Sequence, residues 1–127
     1  MDTAKLVRAL NTMIENLDKI TEVRKAGSTY VFRYLGKQTW AIQEMRISPF
    51  SGVSPEYRAF YFPGDETPQQ AADGLAADDQ QLERVSFSTS EIKTTEARET
   101  FSDLYRRLGM KEFNIDKVLD EIIQTRP

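Results

Sequence analysis

Between Thr29 and Phe62 the chain carries three runs rich in β-branched and aromatic residues, Thr29–Leu35, Thr39–Ile47 and Tyr57–Phe62, set apart by short turn-forming segments. In a strand, successive side chains leave opposite faces, so rings two residues apart share one side. Tyr30, Phe32 and Tyr34 then line one face of the first run, and Trp40 and Ile42 one face of the second. Wound into a helix, the same residues would scatter their rings around the axis. This span therefore has to be pleated sheet, and whatever flanks it has to pack on that sheet.

The flanking segments have a different period. Leu6, Val7, Leu10, Met13, Ile14 and Leu17 recur at helical spacing, which predicts an amphipathic helix from about Thr3 to Asp18. Ile20–Lys25 reads as a weak strand, and Ala26-Gly27-Ser28 as the turn into the first strong one. Leu35-Gly36-Lys37-Gln38 reads as a hairpin turn. The run Tyr57–Phe62 has apolar residues at both parities, as expected of a strand covered on both sides or central in the sheet. Residues 63–83, rich in Gly, Pro, Gln and Asp, read as a partly ordered loop, with a short helix broken at Gly74 as the other reading. Val85 and Phe87 alternate with Ser86 and Ser88 as a short fifth strand, with the apolar pair inward. A helix follows from Thr94 to Leu108, capped by Thr94 or Thr95 and stopped by Gly109. A last helix opens at Asn114, with Ile115, Val118, Leu119, Ile122 and Ile123 as its buried face.

The expected architecture is one α+β domain over residues 1–127: an N-terminal helix, an antiparallel meander of four to five strands, and two C-terminal helices packed on the sheet. Its 127 residues suit a single core without metal or disulfide staples. This order of elements is similar to that of several common α+β architectures, including secretion chaperones and cystatin-like domains, and such similarity says little about function.

Composition narrows the chemistry. The chain has no cysteine and no histidine. Thiolate nucleophiles, disulfides, zinc–thiolate sites, iron–sulfur clusters and His-based triads are all excluded. Neither a glycine-rich phosphate loop nor calcium-loop spacing occurs. The expectation is accordingly no catalytic residue, no metal and no cofactor. Glu44, in mid-strand, is the carboxylate on which a small carboxylate- or tyrosine-based enzyme would depend; its ordinary role is to pair across strands with Arg33 or Arg58. No apolar run approaches the roughly 20 residues of a membrane span. The N-terminus does not read as a signal peptide, so the expected location is the cytoplasm.

Charge is uneven: the net value is −3, and the acidity concentrates in residues 65–83, which hold six acids and no base. The leading expectation is a non-enzymatic protein-binding module, of adaptor, chaperone-like, inhibitor or immunity type. It would use the outer sheet face and the 48–83 segment, with Trp40, Phe50, Tyr57, Arg58, Tyr61, Asp65 and Glu66 as contact residues. The alternative is a binder of single-stranded nucleic acid or a small ligand that stacks on sheet aromatics, through Tyr30, Arg33, Tyr34, Lys37 and Arg46. Net negative charge weighs against nucleic acid. A homodimer through a sheet edge or the C-terminal helix is compatible with the same pattern.

Overall fold

The computed structural model describes residues 3–45 and 55–125, the side chains of 115 and 116 excepted. Helix α1 (Thr3–Glu15) is followed by a single 3-10 turn and strands β1 (Ile20–Ala26), β2 (Thr29–Tyr34), β3 (Gln38–Met45) and β4 (Glu56–Phe62). Then come α2 (Pro68–Ala76), β5 (Val85–Ser88), the one-turn α3 (Thr89–Ile92), α4 (Thr95–Glu112) and α5 (Ile115–Gln124). The five strands form one antiparallel sheet in the order β1-β2-β3-β4-β5. Short turns join β1 to β2 and β2 to β3, whereas β4 and β5 pair across a connection that contains α2. Gly27, with φ of +61°, makes the tight β1–β2 turn possible.

Register places Tyr30 beside Ile42, Ile42 beside Ala59, and Ala59 beside Phe87, so one row of side chains crosses four strands. The next row on that face joins Phe32, Trp40, Tyr61 and Val85. This face carries the larger core: Tyr30, Phe32, Tyr34, Ile42, Tyr57 and Ala59 pack against Leu6, Leu10 and Met13 of α1 and Phe101, Leu104 and Leu108 of α4. The opposite face carries a smaller core, in which Val31, Ala41, Phe60 and Phe62 meet Ala71 and Ala72 of α2 and Leu82. The sheet is therefore the middle layer of three, which explains why Tyr57–Phe62 is apolar at both parities.

Four elements depart from the sequence expectation. Residues 68–76 are a continuous helix that runs through Gly74. Thr67 and Gln70 close its N-terminus as a reciprocal capping box, with Pro68 in the first turn, and burial of Ala71 and Ala72 offsets the cost of Gly74. In β5 the inward side chains are reversed in part: Ser88 is buried and Val85 is exposed, because β5 is an edge strand that the helices do not cover at Val85. Helix α4 continues through Gly109 to Glu112. Gly109 serves packing instead of termination: a Cβ there would sit 3.1 Å from the Tyr30 hydroxyl, so its absence lets α4 lie close on β2. The cap of α4 is Thr94, whose hydroxyl accepts from the Ala97 N–H.

The fourth departure is α5. The C-terminal helices α3 and α4 pack on the sheet, but the stripe of α5 expected to be buried is exposed at Val118, Leu119, Ile122 and Ile123. Asn114 occupies its N-cap position in the left-handed region, φ 53°, without a side-chain cap bond. Every residue of α5 from Lys117 to Gln124 is exposed.

Two substitutions check this layering. Phe101→Ala, at a fully buried ring, should lower unfolding free energy by about 3–5 kcal/mol, read from urea denaturation. Thr67→Ala should cost about 1 kcal/mol by loss of the α2 cap.

Candidate interaction surface

The two residue sets expected to meet a partner are dispersed by the fold. Tyr30 and Tyr34 are 6% and 9% exposed, held beneath the helices, so neither ring is open to a base. Arg33 projects from the other face, where its guanidinium lies 3.5 Å from Glu22. Lys37 is exposed in the β2–β3 turn, and Arg46 lies outside the described residues. The expected aromatic platform is core because α1 and α4 use those rings as their packing surface.

Of the other set, Trp40 and Tyr61 do meet, with ring centroids 5.0 Å apart, and both stay partly exposed. The Trp40 indole N–H donates to the Gln38 side chain at 3.1 Å. Arg58 is on the opposite face, with its guanidinium 6.0 Å from the Phe60 ring. Asp65 and Glu66 lie in the approach to α2, where the Glu66 carbonyl accepts from the Thr39 hydroxyl at 2.8 Å. Tyr57 is buried, and Phe50 lies outside the described residues. The outer face of the sheet is not free either, because α2 covers its β1–β2 half.

The carboxylate Glu44 is part of a structural network. Its cross-strand partner is Tyr57, whose hydroxyl donates to it at 3.2 Å and lies 3.3 Å from the Ser102 hydroxyl of α4. Nearby, Glu56 accepts from Arg98 at 2.7 Å and from the buried Thr89 hydroxyl. Thr89 in turn accepts from the Tyr57 N–H at 3.0 Å. These bonds tie α3 and α4 to the start of β4. Of this network, Tyr57, Arg98 and Ser102 line a groove of about 720 Å³ between Pro55 and α4, together with Lys93, Arg106 and Arg107. The two arginines are drawn along the helix by Asp103, at 2.7 and 3.0 Å. Among the described residues, no group of three or more acids is placed to hold a metal ion, and no helix is long and apolar enough to cross a membrane.

The surface that the strand-based reading overlooked is at the end of α4 and along α5. Leu119, Ile122 and Ile123 are 51%, 62% and 56% exposed, and Phe113 is 63% exposed. Val118 and Met110 add to them. Val118, Leu119, Ile122 and Ile123 lie along one face of α5, and grouped exposed apolar residues of this kind commonly mark interaction surfaces. At 100° per residue, Lys117, Asp120 and Glu121 all fall on the face of α5 away from the stripe. At the foot of α5 lies a second groove, of about 310 Å³, walled by Tyr30, Tyr105, Gly109, Met110 and Phe113, with Arg106 at its edge. Tyr105 is fixed there by a 4.9 Å contact with the Tyr30 ring and by donating to the Ser28 carbonyl at 3.0 Å. The helical period of α5 was plain in the sequence. What it could not convey is that no other part of the described chain covers the stripe.

Comparison with protein-family models, with curated proteins and with solved structures finds no match.

The Glu56 network gives a stability prediction. Glu56→Ala removes the carboxylate that accepts from Arg98 and leaves the buried Thr89 hydroxyl only the Tyr57 carbonyl, 3.3 Å away, as acceptor, and should cost about 1–3 kcal/mol. Glu99→Ala, an exposed change on the same helix, should stay within about 0.5 kcal/mol. Thermal melts of the two variants compare them directly.

Proposed function

We propose that this chain is a non-enzymatic protein-binding module whose contact element is the C-terminal helix α5 with the end of α4. The observation that carries the reading is the exposed stripe of Val118, Leu119, Ile122 and Ile123 along one face of α5, with Met110 and Phe113 also exposed at the end of α4. Isolated exposed apolar residues are ordinary, but a whole helix face of them is not, because water is excluded from it only when another surface covers it. An amphipathic helix laid in a groove is a recurrent mode of protein recognition, read through residues spaced i, i+3, i+4 and i+7. Val118, Leu119 and Ile122 supply that spacing with Ile115 one turn before. The partly exposed pair Trp40 and Tyr61 lies on the same face of the sheet as α4 and supplies a secondary contact region. Burial of Tyr30 and Tyr34 weighs against the nucleic-acid alternative, which needs those rings free to stack.

The test combines native mass measurement at micromolar concentration with capture from a cell extract, for the native chain and for Ile122→Glu. The native chain should self-associate or retain a partner. Ile122→Glu, a solvent-facing change, should keep the fold by circular dichroism and lose association at least tenfold. A native chain that neither self-associates nor captures anything would refute the reading.

A further inference from the structure

We propose that the α2 side of the sheet carries a separate binding site, a groove at the C-terminal end of α2 that takes a small phosphate monoester between Arg58 and Arg84. The groove shares no residue with α5, so it stands or falls independently of the role of that helix.

Register builds its floor. Thr29 pairs with Gln43 and Gln43 with Arg58, so a polar row crosses β2, β3 and β4 on the face that α2 packs against. The neighbouring row of Val31, Ala41 and Phe60 belongs to the small core under α2. Helix α2 ends at Ala76, and Gln43 and Arg58 stay partly exposed. The space above them is a groove of about 530 Å³, bordered by Leu75 and Ala76 of α2 and by Arg84 and Ser86 around the start of β5. That volume falls within the range of small-molecule sites, roughly 300–1,000 Å³.

Two cations without a carboxylate mark the groove. The guanidinium carbons of Arg58 and Arg84 lie 6.0 and 5.7 Å from the centre of the same Phe60 ring. Both side chains are half-buried, and neither makes a hydrogen bond or ion pair among the described residues. The other half-buried arginines among those residues each have an acid: Arg33 has Glu22, Arg98 has Glu56 and Arg107 has Asp103. Asp78, the acid that borders this groove, instead accepts from the Gln80 amide at 3.0 Å. Two like charges held beside one ring and partly removed from water raise each other's energy, and the ring face offsets only part of that. An anion between them offsets the rest.

The two forks select the anion. One guanidinium already saturates both oxygens of a carboxylate. A phosphate monoester carries nearly two negative charges at neutral pH and three acceptor oxygens, enough for both arginines. The Gln43 amide and the Ser86 hydroxyl add neutral donors, and neither is engaged in a hydrogen bond among the described residues. Asp78 at the border can accept from a hydroxyl on the organic part of the ligand, and its charge disfavours polyphosphates.

Titration calorimetry of the full chain with glycerol phosphate, at low ionic strength, tests the site. The native chain should show saturable binding at one site. Arg58→Gln combined with Arg84→Gln should weaken it about tenfold or more, through loss of hydrogen bonds to a charged group. Glycerol and acetate should each bind at least about tenfold more weakly than glycerol phosphate. Arg106→Gln and Ile122→Glu should leave the affinity unchanged, which separates this site from the α4 groove and from α5. Asp78→Asn, at a φ of 53° that Asn tolerates, removes the bordering acid and should tighten binding severalfold. That variant keeps the proposal testable if the double arginine variant fails to fold by circular dichroism. Absence of saturable binding by the native chain would overturn the proposal. So would native affinity in a folded double variant, acetate binding equal to that of glycerol phosphate, or no tightening by Asp78→Asn.

Discussion

The structure depends on burial of β2, β3 and β4 from both sides. Val31, Phe32, Ala41, Ile42 and Ala59 have no solvent exposure at all. Their strands carry apolar side chains at successive positions, so either face left open would set a row of them in water. Two separate helical layers meet that demand, with α1 and α4 on one face and α2 on the other. Burial of this kind is the dominant favourable term in folding, at about 25 cal/mol per Å² of apolar surface. The rest of the architecture is arranged around it: small Ala59 admits α4 over the sheet, Gly109 admits Tyr30, and Ala71 and Ala72 bring α2 close on the other side.

Helix α4 links that core to the surface. Its inward residues Phe101, Leu104 and Leu108 are fully buried, whereas Tyr105 borders the core and forms part of the wall of the groove below α5. Tyr105 lies 4.9 Å from Tyr30 and 5.8 Å from Tyr57, so strands β2 and β4 hold it from both sides. A groove wall supported in this way is set before any partner arrives, which limits the side-chain ordering that association would otherwise require. The same helix carries the Arg98–Glu56 and Arg106–Asp103 pairs. The polar network around Tyr57 and Thr89 keeps α3 and α4 in register with β4.

Much of the fold was legible in the residues because it rests on local period. The α1 stripe, the meander β1 to β4 and the Thr94 cap all follow from side-chain spacing and turn chemistry within a few residues. The misreadings share a different cause. Gly74 and Gly109 look like helix breaks in a sequence, but each lies inside a helix. Burial of Ala71 and Ala72 sustains the first, and the approach of Tyr30, which is distant in sequence, explains the second. The aromatic platform misled in the same manner: Tyr30 and Tyr34 alternate as sheet residues should, and only the arrival of α1 and α4 makes them core instead of surface.

The amino-acid sequence by itself determined the alternation that makes a sheet, the periods that make its helices, and the chemistry excluded by the absence of cysteine and histidine. These are properties of single residues and near neighbours. Tertiary structure alone decided which apolar stripes became interior. Helices α4 and α5 are both amphipathic, yet α4 is core and α5 is surface. The physical reason is that amphipathicity specifies a face that avoids water without specifying what covers it. The cover is set by which surfaces the folded chain brings together, and on this chain the helices packed on the sheet are α1 and α4 on one face and α2 on the other.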